Sequence, residues 1–390
     1  MNEQQLKRAL KRHIVAEKHK IYVQCAPGFE EEMSEEIAEI IDDCKTKITE
    51  GGIELKAGLD DIYKLNLMSQ CASRVLLRIT RFYANTFPML FENCLKTRWE
   101  LYLKKKTDLI FSITVKKSKL YHTARIEEEM RKAISTHFDN NGSCDQSIDR
   151  HKKQMIHVRV IKDIFYISLD STGEPLYKRG YKEHINNAPL RENIAASILR
   201  RANLKNHDLL IDPMCGSGTF SLEAMHMSSD VPPGIKRSFT FEIWPAFKTN
   251  HYDYLKKNLK KNGFNLAVMA SDIDPRSGKI LFHNTKNAFC DEFSYRTEDF
   301  FNLHQSDFGN SRGILVLNPP FGKRFSLNNQ TSFYNRIIQH IQKAFSNHDC
   351  ALIIPANCIS KIKLPDCEKS RLKLGGYETF LIIIKRENQN

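Results

Sequence analysis

The chain has 390 residues, 41% of them hydrophobic and 27% charged; this is too long for one average domain, enough for two or three with buried cores, and inconsistent with extensive disorder. Against 46 Asp and Glu stand 59 Lys and Arg, a net charge of +13 that favours a polyanionic partner through counterion release without identifying one. No apolar run reaches the about 18 to 20 residues that cross a bilayer, so no membrane partner is expected.

In chain order, Met1 to Lys20 carries several Lys and Arg but lacks the apolar core and cleavage site of a secretory leader, and reads as a short amphipathic helix. A strand at Ile21 to Cys25 and a helix at Phe29 to Ile41 follow, then strands near Ile53 to Lys56 and at Ser73 to Thr80, which together make a small α+β module. A second module is expected from a helix around Met89 to Leu95, a strand at Leu109 to Lys116, a helix at Ile126 to Phe138, and a hairpin of Ile156 to Ile161 with Ile164 to Asp170. Asp139 to Ser143 is a polar loop.

From Pro189 the pattern changes. A helix at Leu190 to Arg201 precedes alternating strands and helices, with strands at Leu209 to Asp212, Ala267 to Asp272, Ser294 to Thr297, Gly313 to Asn318, Cys350 to Ile354 and Thr379 to Lys385. Such alternation predicts a mostly parallel sheet covered by helices on both faces, and the Gly-Gly step before Tyr377 predicts an antiparallel return of the last strand. Ten cysteines stand without C-x-x-C pairs or metal-ligand spacing, which predicts free thiols in a reducing cytosol and no metal site.

Three stretches carry chemistry. Asp212-Pro-Met-Cys-Gly-Ser-Gly-Thr-Phe220 lies between an apolar strand and a helix, with Gly216 and Gly218 letting backbone approach a ligand at a helix N-terminus. It lacks the Gly-Lys-Ser/Thr of a phosphate loop and the third glycine of a dinucleotide loop. Asp272 ends the next strand, where a carboxylate accepts ribose hydroxyls, whereas Asp274 before Pro275 reads as a turn or helix cap. The long insertion between these motifs contains Trp244, read as core packing.

The third stretch, Asn318-Pro319-Pro320-Phe321, closes an apolar strand. An exocyclic base amine is a poor nucleophile because its lone pair is delocalised. If the Asn318 amide oxygen and the Pro319 carbonyl each accept one amine hydrogen, the nitrogen becomes tetrahedral and aims its lone pair at a methyl group, while Phe321 stacks on the extruded base.

In this order the motifs resemble the Rossmann-like S-adenosylmethionine methyltransferases that act on amino groups. The resemblance implies that Asp212, Met214, Cys215, Gly216, Ser217, Gly218 and Thr219 form the cofactor loop, that Asp272 and Ile273 meet the ribose side, that Asp299 and Phe300 flank the adenine, and that Asn318, Pro319, Pro320 and Phe321 are the N-P-P-[YF] catalytic motif. Guanine-modifying members usually have Tyr where this chain has Phe321; stacking survives the change, and base identity stays open between guanine and adenine.

Ala72 to Arg78, Pro175-Leu-Tyr-Lys-Arg-Gly-Tyr181 and Ala188-Pro-Leu-Arg-Glu-Asn193 are similar to the bacterial THUMP-domain guanine-N2 RNA methyltransferases. That likeness implies a ferredoxin-like domain over 1–65, a THUMP RNA-binding domain over 66–172, and an α/β Rossmann-like catalytic domain with a mixed seven-stranded sheet over 173–390. It implies a cytoplasmic enzyme that methylates guanine N2 in 23S ribosomal RNA, here without the second catalytic domain of some fused relatives and with no obligate protein partner. Enzymes acting on tRNA share the architecture. Arg74, Lys116, Lys117, Lys178, Arg179, Lys323 and Arg324 are the candidate RNA phosphate contacts. The competing readings are adenine-N6 methylation, which in a DNA enzyme calls for a target-recognition domain; protein glutamine-N5 methylation, which leaves the THUMP-like half unexplained; and an RNA-binding module with a vestigial catalytic domain, against which the intact motifs argue.

Overall fold

The computed structural model describes residues 2–141, 153–182, 190–229, 231–259, 263–288, 293–309, 311, 313–320 and 327–386. The chain divides into two units, one of Met1–Cys25, Ser34–Leu176 and Arg237–Leu259, the other of Ala26–Met33, Tyr177–Lys236 and Lys260–Asn390.

The first unit contains α1 (Glu3–Leu10), β1 (His19–Cys25), most of α2 (Glu30–Ile40), β2 (Thr46–Thr49), β3 (Gly52–Ala57), α3 (Leu59–Met68), β4 (Ala72–Tyr83), α4 (Phe87–Lys96), β5 (Leu109–Lys116), α5 (Thr123–Asn141), β6 (Gln154–Ile161) and β7 (Ile164–Asp170). Its strands lie in the order β2-β3-β1-β4-β7-β6-β5. The sequence predicts two small modules, and their strands join in one sheet through β4. Residues 72–77 of β4 pair with β1 and residues 76–83 pair with β7, both antiparallel, with a register shift between Arg78 and Thr80. The β-branched and aromatic run thus extends beyond Thr80 and serves both neighbours. The residues of the long insertion carry α8 (Thr249–Asn258) and a ring cluster in which Tyr63 of α3 meets Phe241 at 4.4 Å and Tyr252 at 5.6 Å. Trp244 is buried and its indole N–H donates to Gln154 Oε1 at 2.7 Å, which is the packing role expected of it.

The second unit contains α6 (Glu192–Arg201), β8 (Leu209–Asp212), α7 (Thr219–Ser228), β9 (Ala267–Asp272), α9 (Pro275–Ala288), β10 (Ser294–Thr297), β11 (Gly313–Leu317), α10 (Leu327–Ala344), β12 (Asp349–Pro355), α11 (Ala356–Ile359), β13 (Glu368–Leu374) and β14 (Tyr377–Ile384). Its sheet runs β10-β9-β8-β11-β12-β14-β13. The strands from β8 to β12 pair parallel and β14 runs antiparallel to β12 and β13, the mixed seven-stranded sheet expected. Gly375 and Gly376, both at positive φ, make the tight turn between β13 and β14. β8 and β11 are buried throughout, as parallel strands covered on both faces must be. Tyr334, Ile337, Ile338 and Ile341 recur along α10 at helical spacing and pack in one core with Leu209, Ile211, Leu315 and Leu317. The chain leaves β8 toward β9 and β10, then returns to β11 on the other side, so the carboxyl ends of β8 and β11 flank the switch point where ligands bind in such sheets.

Among the described residues no helix is long and apolar enough to cross a membrane, and no group of three or more His, Cys, Asp or Glu is placed to hold a metal ion.

Candidate active site

The loop after β8 is held from below and from the side. Asp212 is buried, and its Oδ2 accepts from the Ser221 backbone N–H at 3.2 Å and the Ser221 hydroxyl at 2.7 Å, which ties the strand end to the first turn of α7. Burial raises the Asp212 carboxyl to about 7 against the lowering effect of those two hydrogen bonds. The Cys215 N–H donates to Ser271 O at 3.0 Å and the Gly216 N–H to Asp272 Oδ2 at 2.8 Å, so the loop is pinned to the end of β9. Gly216 and Gly218 have φ of 56° and 78°. A Cβ on Gly218 would fall 2.3 Å from Leu281 Cδ1, and one on Gly216 would point into open space. Gly218 therefore lets the loop pack against α9, and Gly216 leaves the loop's outer surface bare for a ligand.

A protein whose folded-state Asp212 titrates near 7 instead of near 4 takes up a proton on folding between those pH values. The stability this contributes is complete below about pH 4 and is lost as pH rises through 7. Asp212→Asn keeps the acceptor for Ser221 and removes the titration. Its melting temperature should therefore fall less between pH 5 and pH 8 than that of the wild type; parallel melting curves for the two proteins would refute the assignment.

Asp272 is half-buried; besides Gly216 N–H it accepts Asp274 N–H at 2.9 Å. A carboxylate has about four lone-pair positions, so two remain for ribose hydroxyls. Ile273 beside it is 70% exposed, an apolar side chain standing at a strand end in the crevice. Asp274 caps α9, accepting from Arg276 N–H at 2.9 Å and pairing with the Arg276 guanidinium, as expected of it. Asp299 accepts from Phe301 N–H at 3.0 Å. The Phe300 ring is buried in the core, stacked on Phe345 at 6.0 Å.

At the end of β11, Asn318 is half-buried, Pro319 buried and Pro320 exposed. Among the described residues the Asn318 amide oxygen is closed to water and has no hydrogen-bond donor. Leu315 is level with Ile211 in the parallel pair, so Asn318 emerges two residues beyond the level of Asp212 on the adjacent strand. Phe321, Lys323 and Arg324 lie outside the described residues.

The remaining basic candidates divide. Lys116, Lys117 and Lys178 are exposed. The Arg74 guanidinium is committed to Asp170 and Gly173 O. Arg179 is buried, donating to Glu223 Oε2 at 3.2 Å, while the Tyr181 hydroxyl donates to Glu223 Oε1. Burial and then the Glu223 charge keep the Tyr181 phenol protonated far above its ordinary range. Lys182 donates to Thr219 Oγ1 at 2.6 Å and pairs with Glu192 at 3.4 Å. These contacts to α7 escape sequence reasoning; Arg179 and Tyr181 enter it in the Pro175-Leu-Tyr-Lys-Arg-Gly-Tyr181 run quoted for the resemblance, and Lys182 does not enter it.

Three family models match the chain: an RlmL ferredoxin-like domain over residues 20–76, a THUMP domain over 84–170, and an RMKL-like methyltransferase domain over 179–370. Among curated proteins, the ribosomal RNA large subunit methyltransferase K/L of Buchnera aphidicola is 28% identical over 88% of this chain and 51% of its own length. The protein of that name from Acinetobacter baumannii strain ACICU is 28% identical over 85% of this chain and 48% of its own. The chain thus spans about half the length of the curated relatives it matches. Of solved structures, a protein from Clostridium difficile 630 described only as a possible methylase superposes with a TM-score of 0.84 at 28% identity, covering 96% of this chain and 99% of that one. SMU.472, designated a methyltransferase and complexed with SAH, gives 0.85 at 23% identity over 96% of this chain and 100% of its own, a likeness of fold.

Proposed function

Since the chain belongs to the family of RMKL-like methyltransferases that carry RlmL-type ferredoxin-like and THUMP domains, we propose that it transfers a methyl group from S-adenosylmethionine to the exocyclic N2 amine of a guanine in 23S ribosomal RNA. The reading of the substrate is supported by the naming of both curated relatives for large-subunit ribosomal RNA. The observation that carries the chemistry is the Asn318 amide oxygen, buried at the switch point without a hydrogen-bond partner among the described residues. An acceptor without a partner among the described residues, at the end of a strand beside the switch point, is suited to an incoming donor.

The bound cofactor supplies an electrophilic methyl group on a sulfonium. The residues of the chain present the nucleophile. Asn318 Oδ1 and Pro319 O accept the two amine hydrogens, draw the nitrogen out of conjugation, and hold its lone pair in line. The amine becomes acidic once methylated and releases its proton to solvent, so no general base precedes attack. The bare surface at Gly216 suits the loop side of the cofactor, and the lone pairs of Asp272 with the exposed Ile273 beside it suit the ribose side.

Asp272→Ala should weaken S-adenosylmethionine binding by about 1 to 3 kcal/mol, read by calorimetry, since it removes a hydrogen-bonded carboxylate and the anchor of Gly216 N–H. Unchanged affinity would remove Asp272 from the site. The modified base and RNA are tested by nucleoside mass spectrometry of a deletion strain: loss of N2-methylguanosine from large-subunit ribosomal RNA is the expected result. A loss confined to transfer RNA, or of N6-methyladenosine instead, would overturn the substrate assignment.

A further inference from the structure

The sheet of the first unit has two unlike sides. Ile21, Val23, Val75, Leu77, Val158 and Ile167 are buried on one. Strand alternation and register put Lys20 and Tyr22 of β1, Arg78 and Arg81 of β4, Tyr166 of β7 and Arg159 of β6 on the other. There the planar groups form a row across three strands: the Arg78 guanidinium lies 5.0 Å from the Tyr22 ring centroid and 5.5 Å from that of Tyr166, and the Arg81 guanidinium lies 5.4 Å from Tyr166. The Tyr22 ring rests on β3 at Gly52, where a Cβ would come within 2.6 Å of Tyr22 Cζ, so a side chain there would displace the ring. Lys20, Lys56, Arg81 and Arg159 are exposed around the row. The carboxylates on this side, Glu54 and Asp170, are paired with Arg78 and Arg74.

We infer that this basic side of the sheet binds a single-stranded segment of RNA, with bases stacking on the Tyr22–Arg78–Tyr166–Arg81 row and phosphates met by Lys20, Lys56 and Arg159. Charge complementarity selects a polyanion, and alternating guanidinium and phenol planes present the π-faces that unpaired bases stack on and that duplex RNA hides. An acidic peptide would use the cations and leave the rings without a role. The inference rests on the reading that RNA is the substrate, and it adds the surface on the first unit that holds it. Of the basic residues singled out in the sequence, Lys116 lies on this same side, at the far strand β5.

The test is equilibrium binding of the full chain to a fluorescent single-stranded oligoribonucleotide of about twelve nucleotides, repeated across salt concentrations. The double variant Arg81→Glu/Arg159→Glu changes two exposed side chains and should bind at least tenfold more weakly, with the log–log salt dependence shallower by about 0.7 for each phosphate no longer neutralised. Tyr22→Leu/Tyr166→Leu should lose about tenfold or more, and Tyr22→Phe/Tyr166→Phe should retain binding because the rings remain. Lys96→Glu/Lys132→Glu, which makes the same charge change on α4 and α5, should have little effect. An unchanged thermal melt followed by the fluorescence of Trp99 and Trp244, both in the first unit, confirms that each variant is folded. Equal losses from the two charge reversals, stronger binding of a matching duplex, or normal methylation of ribosomal RNA by the Arg81→Glu/Arg159→Glu variant would overturn the inference. Binding that depends on Arg81 and Arg159 in a protein that methylates no RNA would instead refute the proposed activity and leave the surface standing.

Discussion

Asn318→Ala is expected to reduce the rate of methyl transfer by about 10²- to 10³-fold while leaving S-adenosylmethionine affinity nearly unchanged, the range observed when one preorganised hydrogen-bonding group is removed from a transition state. The expectation follows from what the side chain does in the free protein. Among the described residues its amide oxygen is sealed from water and has no partner, a state that costs about 1 to 3 kcal/mol for a neutral acceptor. Such a group strengthens its interaction as the amine hydrogens become more positive during attack, which is the differential binding that accelerates a reaction. The same cost gives the substitution a second signature. Removing an unsatisfied acceptor relieves desolvation, so Asn318→Ala should unfold at the same temperature as the wild type or higher. Single-turnover kinetics, calorimetric titration with the cofactor and thermal melting together separate this from a packing role: a variant that melts lower and transfers methyl normally would show that Asn318 only caps β11.

Asn318→Asp sharpens the point. A carboxylate in that place accepts hydrogen bonds even more strongly than an amide but also places a negative charge near the carboxylates of Asp212 and Asp272 across the switch point. Retention of partial transfer by the Asp variant, beside near-complete loss in the Ala variant, is the pattern expected if the acceptor function is what matters.

The elements that could be read from the sequence are those in which burial leaves a period. β1, β5 and β7 alternate or run apolar over seven or eight residues, and their limits lie within two residues of expectation. β2 and β13 carry no such mark. β2 has four residues with none buried, and in β13 burial is confined to Leu372 and Leu374 at its end. Both are edge strands, for which exposure and charge are the ordinary state. The continuity of the first sheet was hidden for another reason. β4 pairs with β7 on both sides of an irregularity between Arg78 and Thr80, where the side-chain alternation changes phase.

The candidate crevice could be read from the sequence because its motifs are local: a strand end, two glycines and a helix start fall within ten residues, and Asn318-Pro-Pro320 is a contiguous step. Its supports were not. Arg179 and Tyr181 meet Glu223 from 44 and 42 residues away, and Lys182 meets Thr219 from 37. Composition does not separate an arginine that faces solvent from one that is buried in an ion pair, and Arg179 looked like the former.

Glu223→Ala should have the largest effect on stability, a loss of about 3 to 5 kcal/mol in the second unit. Glu223 is fully buried, it accepts from Arg179 and Tyr181 together, and the guanidinium side chain is 2% exposed. Deleting one member of such a pair leaves the other charge in a medium that cannot solvate it. Replacing both members, as in Arg179→Met/Glu223→Leu, should recover most of the loss, because the penalty comes from the stranded charge and not from the missing attraction. Tyr181→Phe removes one hydrogen bond and should cost about 1 kcal/mol. The readout has to come from the right unit: Trp99 and Trp244 both belong to the first, so tryptophan fluorescence would miss the event, whereas amide hydrogen exchange in α7 and β8 reports it directly. Thr219 and Glu223 stand four residues apart on one face of α7, so the network that holds Glu223 also sets the helix start above it. Faster exchange through the first turn of α7, with S-adenosylmethionine affinity falling in parallel, is therefore the expected result. Exchange in α7 that stays at wild-type rates in Glu223→Ala would show that the buried pair neither stabilises this unit nor supports the cofactor loop.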